Sequence, residues 1–574
     1  MGEVYARTAK AEHGEKTRPR TNLSCPVICG AATSTSPLAF ALSIAHGPQF
    51  VKGGYRIPDT RGQKTDRAPP CAFSRRGAGL FMLRAMFSAF TWGAVRVIIK
   101  YTTLLEGIGV DKRRDMTVGS EWKELLLFSL PIMAGQFLQQ LYNTVDSIVV
   151  SHYGGATPEI CDAMFAAVGS CTSLIFLFLA ISLGLSNGGG VLVAQLYGAR
   201  RETELRRAAS TLLITQTAIG TLLAIFGCVG AELLVVGLMR VRDEAIRDYA
   251  IEYFAIYAVG LIFQYIYNAV AGILRAVGDS RASMYFLIIS AVLNTVLDLW
   301  FVISFGWGVV GVALATVIAQ VVCAAFSIFY MMRRYPMFRF RRHEFVFDTD
   351  KFRLCLKLGI PAIIQQAVVS LGNVFIQRLV NSFGQVTMSA FNAGNRMESY
   401  ATIPIFGMNN AAASFTGQNV GAQKYDRVRR GWISGTLMSC IMSVMIAVLL
   451  YFLAPDFARL FNLSGAALDQ AVEYQRWMSY CVILFAAYMP TTGLLQGAGD
   501  VVWTSMTSFT TLTVRVCVAY LMVYAFDVGY AACWLNIPFG WGLGVLMSIP
   551  RYLSNRWKTK RVVGDVLPQR EENA

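Results

Sequence analysis

The chain has 574 residues, 55% hydrophobic and only 15% charged, with a mean hydropathy of +0.47. So much apolar sequence, spread over so many separate runs, excludes a soluble domain and points to a polytopic membrane protein. The net charge of +16 is no sign of a nucleic-acid partner: residues 1–115 hold 18 Lys/Arg against 8 Asp/Glu, a net +10, which leaves +6 for the apolar portion, as basic loops on one membrane side require.

Residues 1–115 do not resemble the rest. They are rich in Arg, Pro, Ser, Thr and Gly, and no apolar core follows the basic start as a signal peptide would need. Residues 80–99 are apolar but carry Arg84 and Arg96, which suits an interfacial helix better than a span. The segment reads as upstream sequence translated from too early a start, with Met116 the natural beginning; a regulatory or anchoring extension is the alternative. It is assigned no function. The twelve cysteines show no metal-ligand or redox spacing.

From Met116 onward, apolar runs long enough to span a bilayer lie near 125–150, 163–190, 208–238, 251–274, 283–305 and 308–332. Six more lie near 355–381, 388–416, 432–455, 475–496, 504–526 and 529–552. One set of connections is basic, with Arg200, Arg201, Arg206, Arg207, Arg333 and Arg334 early and Lys424, Arg427, Arg429 and Arg430 later. The opposite set is nearly bare. The positive-inside rule therefore places both termini in the cytoplasm and the chain as a multi-pass protein of the cytoplasmic (inner) membrane.

Within the run 289–320, Asn294 and Asp298 sit one helical turn apart and share a face. Thr316 returns to their depth on the next span, and all three fall roughly 12–18 Å from the turn at Gly306. A carboxylate at that depth costs about 2.5–3.5 kcal/mol, so it must face a cavity or a partner. An acid with an amide and a hydroxyl at its own level has the chemistry of a cation or proton site. Asp146 on the first span lies at comparable depth, and two such acids form a coupled pair able to exchange protons. The same oxygens suit Na⁺, so the ion stays open.

The two halves are copies. Pro131/Pro361, Gln136/Gln366, Asn143/Asn373 and Gly154/Gly384 coincide at an offset of 230. Gln195 and Gly198 match Gln418 and Gly421 at 223, and Leu274, Gly278 and Asp279 match Leu495, Gly499 and Asp500 at 221. Six spans per half give the copies the same orientation, related by a pseudo-two-fold along the membrane normal, which is transporter architecture with a cavity between two lobes.

On these residues the chain resembles the multidrug and toxic compound extrusion (MATE) family over residues 121–561. The resemblance implies an all-α fold of twelve transmembrane helices in two six-helix lobes. Their bounds would be 116–340 and 341–562, with a cytoplasmic tail at 563–574. It further implies export of amphipathic, often cationic, organic compounds in exchange for H⁺ or Na⁺, with no cofactor, no enzymatic activity, lipid as surroundings and a monomeric state. In the DinF-like branch of the family, residues matching Asp146, Asn294, Asp298 and Thr316 form an N-lobe cation site, and bending of the first helix would hinge at Pro131.

The second half departs from the first. Asp146 maps to Ile376, Asn294 to Arg515 and Asp298 to Ala519, which puts a C-lobe sodium site in doubt. Arg378, Arg396, Glu398 and Arg515 are instead candidates for an ion network. The small-residue stretches 182–190 and 406–414 read as faces for close helix approach. A lipid-linked oligosaccharide flippase of the related superfamily is the alternative function, resting on the arginines of the second half.

Overall fold

In lipid, an apolar run satisfies its backbone by remaining one helix, and among its described residues the computed structural model has a helix at each of the twelve expected runs. It describes residues 115–563 apart from 154–157, 240–242, 341–344 and 461–462. The N-terminal segment, including 80–99, and the tail beyond 563 lie outside the described residues. The first half contains α1 (Glu121–Tyr153), α2 (Pro158–Gly198), α3 (Glu202–Val229), α4 (Glu244–Ala276), α5 (Ser280–Leu299) and α6 (Gly308–Arg334). The second contains α7 (Thr349–Ser382), α8 (Gln385–Gly421), α9 (Tyr425–Leu460), α10 (Gly465–Gly497), α11 (Val501–Tyr524) and α12 (Ile537–Leu553). Among the described residues, ten helices are long and apolar enough to cross a membrane.

Each half packs as a lobe, and each lends its first helix to the other. Leu125 and Phe128 of α1 sit in one core with Met408, Ala411 and Phe415 of α8. Cys355, Leu358 and Ala362 of α7 sit in the core formed by α2, α3 and α4. Glycines make these crossings possible. A Cβ on Gly184 of α2 would collide with Ile363 of α7, and one on Gly407 of α8 would collide with Met133 of α1. Those two contacts are repeat mates: 184 and 407 differ by 223, and 133 and 363 by 230. The small-residue stretches are thus packing faces, as expected.

The lobes also close at the face carrying both ends of the described chain. There Gly198 lies against the Gln418 carbonyl and Gly421 against the Gln195 carbonyl, so neither position has room for a side chain. The Gln195 side chain donates to the Gly497 carbonyl at 3.0 Å, and Gln418 donates to the Ala276 carbonyl at 2.8 Å. Their Oε1 atoms accept from the backbone N–H groups of Val562 and Met116 respectively.

Ion pairs flank this closure with their polarity reversed between the copies. Glu121 of α1 pairs with Arg427 at 3.3 Å and Arg430 at 2.9 Å on α9, while Lys351 of α7 pairs with Glu204 of α3. Under the repeat, Glu121 corresponds to Lys351 and Arg427 to Glu204. Arg427 also donates to the carbonyls of Gly119, Val118 and Met116. Burial works against the charge on Glu121. Its backbone hydrogen bond and the Arg430 and Arg427 guanidiniums outweigh that and hold the carboxyl below the ordinary glutamate range. The pair therefore supports closure at neutral pH and is lost only on acidification through that depressed value.

A partly shielded pair of this kind contributes about 1 kcal/mol, close to a five-fold change in an opening equilibrium. Glu121→Lys should therefore raise maleimide labelling of the buried Cys355 several-fold, measured by peptide mass. Adding Arg427→Glu, which copies the polarity of the Lys351–Glu204 pair, should return labelling to within two-fold of the starting protein.

Candidate functional site

The turn into α5 is built on Gly278, whose φ of +94° needs a residue without a Cβ; Gly499 repeats it at +95°. Asp279 then caps α5 by accepting from Ala282 N at 3.1 Å. Its second oxygen accepts from the hydroxyls of Tyr330 and Tyr335, both at 2.9 Å, which ties the α4–α5 turn to the end of α6. Its repeat mate Asp500 pairs instead with Arg551 at 2.7 Å. The sequence marks these aspartates as repeat signposts without revealing their partners.

From that anchor α5 runs to Leu299, continues as a π-helical turn over Trp300–Ser304, and reverses at Gly306 with φ +66°. Asn294 and Asp298 are buried, Asp298 with no exposed surface at all. The Asn294 amide donates to Thr316 Oγ1 on α6 at 3.4 Å, and Thr316 donates back to the Val312 carbonyl at 3.0 Å. On these two helices, Asn294 Oδ1, Thr295 Oγ1 and Gln320 Oε1 are buried and accept no hydrogen bond among the described residues. Gln320 lies one turn beyond Thr316 on the same face of α6 and packs on Gly260 of α4. Sequence reasoning missed Gln320, although its i+4 spacing from Thr316 was the available signal.

The side chain of Asp146 lies outside the described residues, but the helix register locates its position. Gly135 of α1 packs against Leu287 of α5, and both helices run away from the termini-bearing face. Residues 146 and 298 each lie eleven residues further along. That is about 16 Å of rise along each helix, so residue 146 lies within about one helical turn of Asp298 in depth. Pro131 is buried inside α1, which stays helical across it.

Among the described residues no salt bridge joins Arg378, Arg396, Glu398 and Arg515. Arg378 and Arg396 are exposed. Glu398 accepts from the Tyr474 hydroxyl, which also bonds Asn395, and Arg515 donates to Asn536 Oδ1 at 3.2 Å. Tyr474 lies within electrostatic reach of both Glu398 and Arg515, so a neutral side chain stands between these two of the four. Where the first lobe has acids, Ile376 and Ala519 are buried in an apolar core.

The MatE family model matches residues 131–300 and 361–521, one match in each half. The probable multidrug resistance protein YpnP of Bacillus subtilis (strain 168) is 29% identical over 467 residues, covering 79% of this chain and 99% of its own. The probable multidrug resistance protein YoeA of the same organism is 27% identical over 451 residues, covering 77% and 96%. In three dimensions the chain is similar to an outward-facing multidrug resistance MATE family transporter of the MOP superfamily. The TM-score is 0.72 at 24% identity, over 78% of this chain and all of that one. With the family model spanning more than half of its residues, and both lobes built as its repeat requires, this chain belongs to the MatE family of membrane transporters.

Proposed function

We propose that this chain is an antiporter that exports amphipathic, often cationic, organic compounds across the cytoplasmic membrane in exchange for H⁺ or Na⁺. The observation that carries the reading is Asp298, a carboxylate with no exposed surface set beside Asn294 and Thr316 in a MatE fold. No packing requirement explains a carboxylate there, since its repeat mate is Ala519, equally buried. In this reading the coupling cation binds among Asp146, Asn294, Asp298 and Thr316, with Gln320 Oε1 as a further ligand. Carboxylate, amide and hydroxyl oxygens suit a hard cation, and the acids alone suit a proton.

The termini-bearing face, where Arg200, Arg201, Lys424 and Arg427 gather, is assigned to the cytoplasm by the positive-inside rule. The lobes meet at that face, so this is the outward-facing half of the cycle. Arrival of the cation bends α1 at Pro131, loosens the cargo toward the outside and precedes rocking of the lobes. A single chain supplies every part of this scheme. The flippase alternative is not favoured, since the relatives that this chain matches are multidrug resistance proteins.

Ethidium efflux from pump-deficient cells, driven by an imposed pH step or separately by a sodium step, tests the reading. Wild type should respond to one of the two gradients. Asp298→Asn and Asp146→Asn should each lower the initial rate at least ten-fold; undiminished rates in both variants would remove the first lobe from ion coupling. Gln320→Leu gives a finer test. Replacing a buried acceptor that lacks a partner among the described residues should leave the melting temperature unchanged or raised, because an unsatisfied polar atom costs about 1–3 kcal/mol. The added stabilisation that wild type gains from the coupling ion should shrink by more than half in the same melting experiment.

A further inference from the structure

We propose that the base of the interlobe cleft is a carboxylate-binding subsite in which Arg275 receives a monoanionic group of the transported compound. The inference deepens the export reading above and rests on it. A cavity of about 70 Å³ lies between the lobes, and its lining includes three pairs of repeat mates: Ser186 and Asn409, Asn187 and Asn410, and Arg275 and Gln496. Arg275 is the only charged residue lining it among the described residues. Its guanidinium makes no hydrogen bond or ion pair with any described residue, so this cation enters the cavity without a counter-charge.

Donors surround that cation. Asn409 and Asn410 each give one amide hydrogen to a carbonyl in their own lobe, at 2.7 and 2.9 Å, and Gln496 gives one to Gln365 at 3.4 Å. Each keeps a second hydrogen, and Asn187 is exposed with both still available. A planar guanidinium fork amid amide donors fits a carboxylate. One positive charge balances a monoanion, whereas a phosphate monoester would leave a charge uncompensated beside apolar Val191 and Ala194.

Arg275 also stands in the last turn of α4, where a cation favours the helix dipole. The fold does not need it for that purpose: Gln496 holds the same place at the end of α10 with no charge. The first-lobe acids and this arginine therefore belong to separate sites, one for the coupling ion and one for an acidic group on the cargo.

Binding of norfloxacin and of its ethyl ester to purified protein in nanodiscs, read by tryptophan quenching, tests the assignment, because the pair differs only in the carboxylate. Wild type should bind the acid at least ten-fold more tightly than the ester. Arg275→Gln should erase that preference by weakening the acid alone, and Arg275→Lys should restore part of it. A helix-stabilising role would move both ligands together. Equal affinity for acid and ester in wild type, or an unchanged ratio in Arg275→Gln, would overturn the subsite and leave the export reading intact. If wild type binds neither compound, the drug-export reading fails, and phenylglyoxal modification of Arg275, mapped by peptide mass, decides the subsite by itself. Protection by octanoate but not by octanamide sustains it, and equal modification in both overturns it.

Discussion

The structure depends on how closely α2 and α8 approach one another at the termini-bearing face. Between lipid-embedded helices there is little hydrophobic driving force, so contact rests on packing and on interhelical hydrogen bonds. Gly198 and Gly421 let each helix touch the other's backbone, and that proximity lets Gln195 and Gln418 reach carbonyls of the opposite lobe. Both glutamine side chains are fully buried, and each is satisfied as donor and acceptor only while the lobes meet. Separating the lobes would cost about 1–3 kcal/mol for each orphaned group until water replaced the lost partner. Closure is therefore a discrete state, as a device with two alternating forms requires.

Around that symmetric centre the copies have diverged in charge while keeping position. Glu121 with Arg427 and Lys351 with Glu204 fill the same two places with opposite polarity. Asp279 is held by two tyrosines and Asp500 by Arg551, itself stacked on Trp503 at 4.8 Å. A bridge needs one acid and one base and works in either direction, so duplication conserves the contact and leaves the sign free. The proposed cation site depends on its acids directly, so it is assigned only where they persist, in the first lobe.

Helix count, the repeat and the Asn294–Asp298–Thr316 cluster were legible in the sequence because each rests on local spacing. Span length, the three repeat offsets and the i+4 rule are read along the chain without knowing which helices meet. The partners of the charged residues in the second lobe were not legible, because a contact needs two side chains aimed at each other across helices, which spacing does not encode. Glu398 accepts from the Tyr474 hydroxyl and Arg515 donates to Asn536. Gln195 and Gln418 appeared as matching letters, yet their function as reciprocal interlobe donors required the other lobe to be in place. Arg275 and Gln496 likewise carry meaning only once the cleft brings them into one cavity.

The two proposed sites are too far apart to compete for a ligand. Asp298 stands eighteen residues along α5 from Ser280, about 27 Å of helix, whereas Arg275 lies just before the turn that leads into that helix. A cation in the outer half of the first lobe therefore cannot displace cargo from the cleft base by contact, and coupling has to be conformational. α1 is the element placed to carry it. Its Met133 packs on Gly407 of the second lobe, and two residues later its Gly135 packs on Leu287 of α5. Pro131 lies one turn before Gly135, where the missing backbone N–H removes a rung from the helix ladder and lowers resistance to bending. Any change of α1 on cation binding must then shift its contact with α8, the helix that lines the cleft with Asn409, Asn410 and Ser414.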